Sequence, residues 1–173
     1  MLSWNGISES SIQQGHSALG KMRNENLKLS PCFSLFEDFR SGSVPKFNSE
    51  GEIASDLIPL IDKGILSNTL ISSRTAKEYN LNSNQASNFE GIRSQNMLGG
   101  ELNEKDVLQS IGTGIYLGNL HYLNWSDNIG GRVTGMTRYA CFWVENGEIV
   151  APIDTMRFDD SLYNFFGENL ESV

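Results

Sequence analysis

Tyr139-Ala-Cys-Phe-Trp-Val-Glu-Asn-Gly-Glu-Ile-Val-Ala-Pro-Ile153 decides the fold class. Its first six residues are apolar without interruption, which predicts the end of a long strand, Val133 to Val144, buried on both faces. Glu145-Asn-Gly-Glu148 reads as a tight turn, because Asn and Gly tolerate the positive φ angles that a two-residue hairpin demands. Ile149 to Ile153 then returns alongside.

Working outward, the same signature recurs. Asp56 to Ile61 and Ile65 to Ile71 are apolar runs separated by Asp62-Lys63-Gly64, a second hairpin. Cys32 to Phe36, Ile92 to Leu98 and Ile115 to Leu120 read as further strands. Short helices are expected over Ser10 to Met22, over Ser73 to Leu81 with Ser72 or Ser73 as cap, and from Asn103 to Ile111 with Asp106 in the capping-box position. A last helix is expected over Ser161 to Leu170, capped by Asp160. His121 to Gly131 reads as a long connection. The sum is an α+β arrangement, mainly antiparallel β, either sheet or barrel-like, with a few short helices. Residues 1–30 are polar and read as a peripheral segment with one short helix; residues 31–173 read as the domain proper.

Composition narrows the function classes. The 173 residues carry a net charge of −8, with 39% hydrophobic and 20% charged residues. These are globular values, and an acidic chain lacks the basic footprint that phosphate backbones require, so no direct nucleic-acid partner is expected. No apolar run has the length of a membrane span, and Met1 to Gly6 has no signal-peptide character. Two cysteines, Cys32 and Cys141, are too few for a disulfide scaffold and read as reduced thiols of a cytoplasmic protein.

A hydrolase needs a nucleophile or an activated water, and a group that moves protons. The two histidines, His16 and His121, are far apart, and neither opens a zinc-binding helix. Cys32 or Cys141 with His121 makes a catalytic dyad only if the fold unites them, and Cys141 in an apolar strand reads as a small buried hydrophobe. Gly112-Thr-Gly114 follows a helix and precedes a strand, the reverse of a phosphate-binding loop. The unusual segment is His121-Tyr-Leu-Asn-Trp-Ser-Asp127, where large rings sit beside polar groups. It reads either as a recognition surface built from His121, Tyr122, Asn124, Trp125 and Asp127, or as a loop plugged into the core by Trp125. Arg132 and Arg138 are the cations expected to pair with Asp127 or to recognise a carboxylate.

Gly112-Thr-Gly-Ile-Tyr-Leu-Gly-Asn-Leu120, Gly131-Arg-Val-Thr-Gly135 and Phe142-Trp-Val-Glu-Asn-Gly-Glu-Ile149, followed by Pro152, together resemble the C-terminal domain of TldD/PmbA proteins. Phe47-Asn-Ser-Glu-Gly51, Lys63-Gly-Ile-Leu66 and the segment from Ser73 to Leu81 resemble that family's upstream turn, hairpin and helix, in the same order, so the likeness spans residues 15 to 170. The family is described as zinc-dependent proteases, also called modulators of DNA gyrase, working as two related subunits on peptides. Its catalytic subunit carries a His-Glu-x-x-x-His helix and a later cysteine ligand, and no position of this chain matches either. The resemblance therefore implies no catalytic and no metal residue here, with zinc held elsewhere in a longer protein or in a partner subunit. Phe142-Trp143-Val144-Glu145 resembles the PmbA (TldE) subunit more closely. Asn124 to Arg138 departs from the family pattern, which weakens any transfer of contacts at that stretch.

Three functions are consistent with this reading. The first is a non-catalytic C-terminal domain of a longer protease subunit, acting as a homodimer or as a heterodimer with a TldD-type subunit and scaffolding a peptide-cleavage chamber. The second is a protein-interaction domain without proteolytic role. The third is a cysteine hydrolase using Cys32 or Cys141 with His121.

Overall fold

A computed structural model describes residues 2–173, except the side chains of Trp4 and Asn5. Three antiparallel sheets make up the β structure. The first contains β1 (Leu35–Asp38), β2 (Leu57–Asp62), β3 (Ile65–Leu66) and β4 (Gln95–Met97) in the order β3-β2-β1-β4. The second joins β6 (Leu120–Asp127), β7 (Arg132–Thr137) and β10 (Arg157–Ser161) in the order β10-β7-β6. The third joins β5 (Gly114–Leu117), β8 (Cys141–Glu145) and β9 (Glu148–Pro152) in the order β5-β8-β9. The α+β reading holds, and the sheets do not close into a barrel.

Both hairpin turns form as their sequences dictate. Lys63 and Gly64 have φ of 47° and 76°, and Asn146 and Gly147 have φ of 51° and 78°. Positive φ at both central residues matches the right-handed twist of the flanking strands. Gly64 has a second constraint, since a Cβ there would lie 2.2 Å from the Leu29 carbonyl oxygen.

Several local expectations are corrected. Val133 to Val144 is two strands in two sheets, broken at Ala140, which adopts φ 56°. The apolar run is not covered on both faces: Cys141 and Val144 are buried, Phe142 and Trp143 are half-buried, and Tyr139 is exposed. The connection expected after His121 is strand β6, paired with β7. The register slips between His121 and Asn124 and again between Trp125 and Asp127, with Tyr122 at φ 51°. Such bulges erase the two-residue alternation by which a strand is recognised. Helix α5 covers only Leu162–Phe165, and its cap is Ser161, whose hydroxyl accepts from Tyr163 N at 3.1 Å. The capping box at Asn103 is not made; a 3₁₀ turn, Glu104–Asp106, leads into α4 (Val107–Ile111).

The helix expected over Ser10 to Met22 is two helices, α1 (Glu9–Gln13) and α2 (Gly20–Asn24), separated at Gly15 with φ 71°. The description of this segment as peripheral is also corrected. Ile7, Ala18, Leu19 and Met22 join Leu60, Ile61 and Leu70 in the hydrophobic core, which extends to Val133 and Leu162. Polar residues hold the segment in place there. Ser8 caps α1 and Ser72 caps α3 (Ser73–Tyr79). Between them the buried Glu90 carboxylate accepts from Ser8 Oγ at 2.7 Å, Ser10 N at 2.9 Å and Ser72 N at 2.9 Å. Burial opposes charge on Glu90, but hydrogen bonds from Thr75, Ser72, Ser10 and Ser8 outweigh it and hold the carboxyl below its ordinary range.

Candidate functional site

A cleft of about 790 Å³ lies where the three sheets meet. Its floor is the edge of the core, with Phe33, Leu35, Val133 and Leu162. Ile115 and Leu117 reach it from β5, Leu120, Leu123 and Trp125 from β6, and Met97 from β4. Polar groups on its walls are few: Ser3, Gln95, Thr137 and Arg157. Leu117, Leu120 and Met97 are 51%, 43% and 50% exposed, so the walls are apolar surface open to water. A concave apolar surface of this kind on a small domain marks a binding site or an interface.

The register of sheet β10-β7-β6 explains which side chains face the cleft. Direct partners in an antiparallel pair share a face. Leu120 pairs with Thr137, Trp125 with Val133, and Phe158 with Gly135, and five of these six residues line the cleft. Gly135 is the gap in that wall. A Cβ there would lie 2.6 Å from the Phe158 ring and 2.7 Å from Leu123, so only glycine lets the two side chains close over it. The opposite face is polar apart from Met136. His121 pairs with Met136, Asn124 with Thr134, and Arg157 with Met136. The Arg157 guanidinium donates to Thr134 Oγ1 at 3.3 Å, on this outer face.

The sheet therefore splits the residues of the expected recognition loop. Trp125 turns inward and packs against the core, as a plug would. His121 and Asn124 turn outward, with the Tyr122 ring 4.0 Å from the His121 ring in an edge-on contact. Asp127 and Arg132 are register partners but not an ion pair. Arg132 binds Asp159 Oδ1 at 2.7 Å, and Asp127 Oδ1 accepts from Gly130 N at 2.9 Å in the β6–β7 turn. Arg138 lies outside the strands, its guanidinium 5.5 Å from the Tyr139 ring centroid. The cation partner expected for Asp127 is thus corrected: the unforeseen strand β10 brings Asp159 beside Arg132. Hydrogen bonding from Arg132 and Ser126 holds the Asp159 carboxyl below its ordinary range.

The cysteines do not meet His121. The exposed Cys32 lies 3.8 Å from the Glu171 carbonyl, and the buried Cys141 contacts the Asn119 and Tyr139 carbonyls at 3.7 Å. Among the described residues no three His, Cys, Asp or Glu side chains converge at metal-binding distance, so they offer no complete ligand set for zinc. No helix among the described residues is long and apolar enough to cross a membrane.

The sequence pattern of the PmbA/TldA metallopeptidase C-terminal domain matches residues 1–173. This chain belongs to that family. Metalloprotease PmbA of Escherichia coli O157:H7 is 31% identical over 116 residues, which are 67% of this chain and 24% of that protein. A modulator of DNA gyrase from Bacteroides thetaiotaomicron superposes with a TM-score of 0.79 at 20% identity, over 95% of this chain and 36% of that one. TldE from Thermococcus kodakarensis superposes with a TM-score of 0.75 at 16% identity, over 96% of this chain and 40% of that one. The two structures share the fold. The chain spans about a quarter of the curated relative and about two fifths or less of these structural ones.

Within this PmbA/TldD domain, the stretches that carry the family likeness, residues 112–120 and 142–149, form sheet β5-β8-β9 and the cleft wall at β5. The cleft itself was not foreseen. Its signal was Leu120, Leu123 and Trp125, three large apolar residues at spacings of neither a helix nor a regular strand.

Proposed function

We propose that this chain is a non-catalytic domain of a PmbA/TldD-type protease subunit, a scaffold for subunit pairing that walls part of a peptide-cleavage chamber. The observation that carries the reading is the open apolar cleft, set in a domain whose whole length matches the family. A surface of that kind is costly to leave in water and is covered on assembly. The partner is a TldD-type subunit bearing the His-Glu-x-x-x-His helix, and zinc belongs to that partner or to further chain of the same subunit. The site of action is the cytoplasm.

Co-expression with a TldD-type subunit tests this. A stable complex that cleaves peptide, with neither chain cleaving alone, is the expected result. Hydrolysis by this chain alone would sink the proposal. A complex without any cleavage would favour the reading as a pure interaction domain.

A further inference from the structure

Asn146-Gly147 closes the β8–β9 hairpin, and an Asn-Gly pair is also chemically reactive. Glycine has no Cβ, so its backbone nitrogen can approach the side-chain carbonyl carbon of the preceding asparagine unhindered. The reaction is deamidation. The Gly147 nitrogen, stripped of its proton, bonds to Asn146 Cγ; the Cγ–Nδ2 bond breaks and ammonia leaves. Water then opens the cyclic succinimide to aspartate or isoaspartate.

The fold restrains this nucleophile. Asn146 is exposed, but Gly147 is buried. The Gly147 N–H donates to the Gly112 carbonyl oxygen at 2.7 Å. That hydrogen bond retains the proton that the reaction must remove, and burial keeps hydroxide away from it. Gln109 of α4 lies against the same residue. A Cβ on Gly147 would sit 2.5 Å from Gln109 Nε2, which donates to the Gly147 carbonyl at 3.5 Å. The Asn146 N–H donates to Thr113 Oγ1 at 3.4 Å. The turn is thereby docked on the corner between α4 and β5, where Gly112 has φ 61° and ψ −88°, a conformation that glycine adopts most cheaply.

We propose that Asn146 is a deamidation site locked in the folded chain by the Gly112–Gly147 hydrogen bond, and that it converts only when the α4–β5 corner opens away from the hairpin. Conversion would damage the hairpin. It adds a carboxylate beside Glu145 and Glu148, which already face each other across the turn. Isoaspartate also lengthens the backbone of a two-residue turn that sets the β8–β9 register. The inference is independent of subunit pairing.

The test is incubation of the purified chain in mildly alkaline buffer, with conversion at Asn146 read by peptide mapping and mass spectrometry. Mapping separates it from Asn5-Gly6, the other Asn-Gly pair of the sequence. The folded chain is expected to convert at least about tenfold more slowly than a synthetic peptide of residues 141–151, and than the same chain in urea, because only the locally open fraction reacts. Gln109→Ala, at an exposed position, uncovers Gly147, and Gly112→Ala strains the backbone that presents the acceptor. Each is expected to speed conversion at least about threefold with an unchanged circular dichroism spectrum; the first serves if the second does not fold. Conversion in the folded chain as fast as in the peptide would overturn the proposal. So would equally slow conversion in the parent and the folded variants, since the turn conformation alone would then be the restraint.

Discussion

Residues 2–98 enclose sheet β3-β2-β1-β4 with four buried carboxylates, Glu9, Glu37, Asp38 and Glu90, each met by hydrogen bonds. Residues 107–165 form the other two sheets and leave Ile115, Leu117, Leu120, Leu123, Ile149 and Val150 exposed. Both regions show apolar groups, Phe47, Ile53 and Phe89 in the first among them, but the first also hides carboxylates and satisfies them. Buried polar groups are stable only with partners, and exposed apolar ones are retained where a partner covers them. The contrast places the satisfied buried carboxylates in the first region and most of the cleft wall in the second.

Removing Glu90 should break the first region most severely. Glu90→Ala leaves the Ser8 hydroxyl and the Ser10 and Ser72 amides without their acceptor, next to two helix starts. We expect a loss of about 3–5 kcal/mol, measured by chemical denaturation. A loss below about 1 kcal/mol would mean that water replaces the carboxylate, and the contrast between regions would weaken.

Gly135→Ala tests the one tightly closed point of the second region. The added methyl must push aside Phe158 and Leu123, both side chains, so a cost of about 1–3 kcal/mol is expected from thermal melts.

Acid should act through the first region. Burial disfavours charge on Glu9, yet hydrogen bonds from Arg23, Thr69 and Gln13, with the attraction of Arg23, bring its pKa from 4.5 down to about 2. A carboxyl with a lowered folded pKa stabilises above its unfolded value and loses that contribution as pH falls toward the folded one. Stability should therefore decline between pH 4.5 and 2, and Arg23→Gln should flatten that slope and cost about 1–2 kcal/mol at pH 7, since Arg23 is itself partly exposed. Glu37 works in the opposite sense. Burial raises its pKa despite hydrogen bonds from the Arg93 and Ser94 amides, so its protonation adds stability as pH falls toward 4.5, above the window in which Glu9 loses its own contribution. A pH profile that stays level in the parent protein would contradict the role given to Glu9.

The smallest effect belongs to the open walls. Leu117→Thr puts a β-branched residue, favoured in strands, at a half-exposed strand position and should change stability by no more than about 0.5 kcal/mol. The same variant should weaken association, so a large stability loss without any change in association would reverse the contrast.

Hairpin turns, the Ser72 cap and one family likeness were legible in the chain. Asn146-Gly147 and Lys63-Gly64 form their turns because few other residues adopt positive φ cheaply, and Ser72 caps α3 because its hydroxyl satisfies the Thr75 amide at 3.2 Å. These signals are local, carried by residues a few positions apart, and so sequence alone determined them, together with the antiparallel β class and membership of the PmbA/TldD family. Only the tertiary structure decided that β6 is a strand, that Arg132 binds Asp159 instead of Asp127, and that Leu120, Leu123 and Trp125 face one cleft. Those outcomes depend on bulges and on pairing with β7 and β10, in which residues far apart in the chain share a face that no local periodicity records.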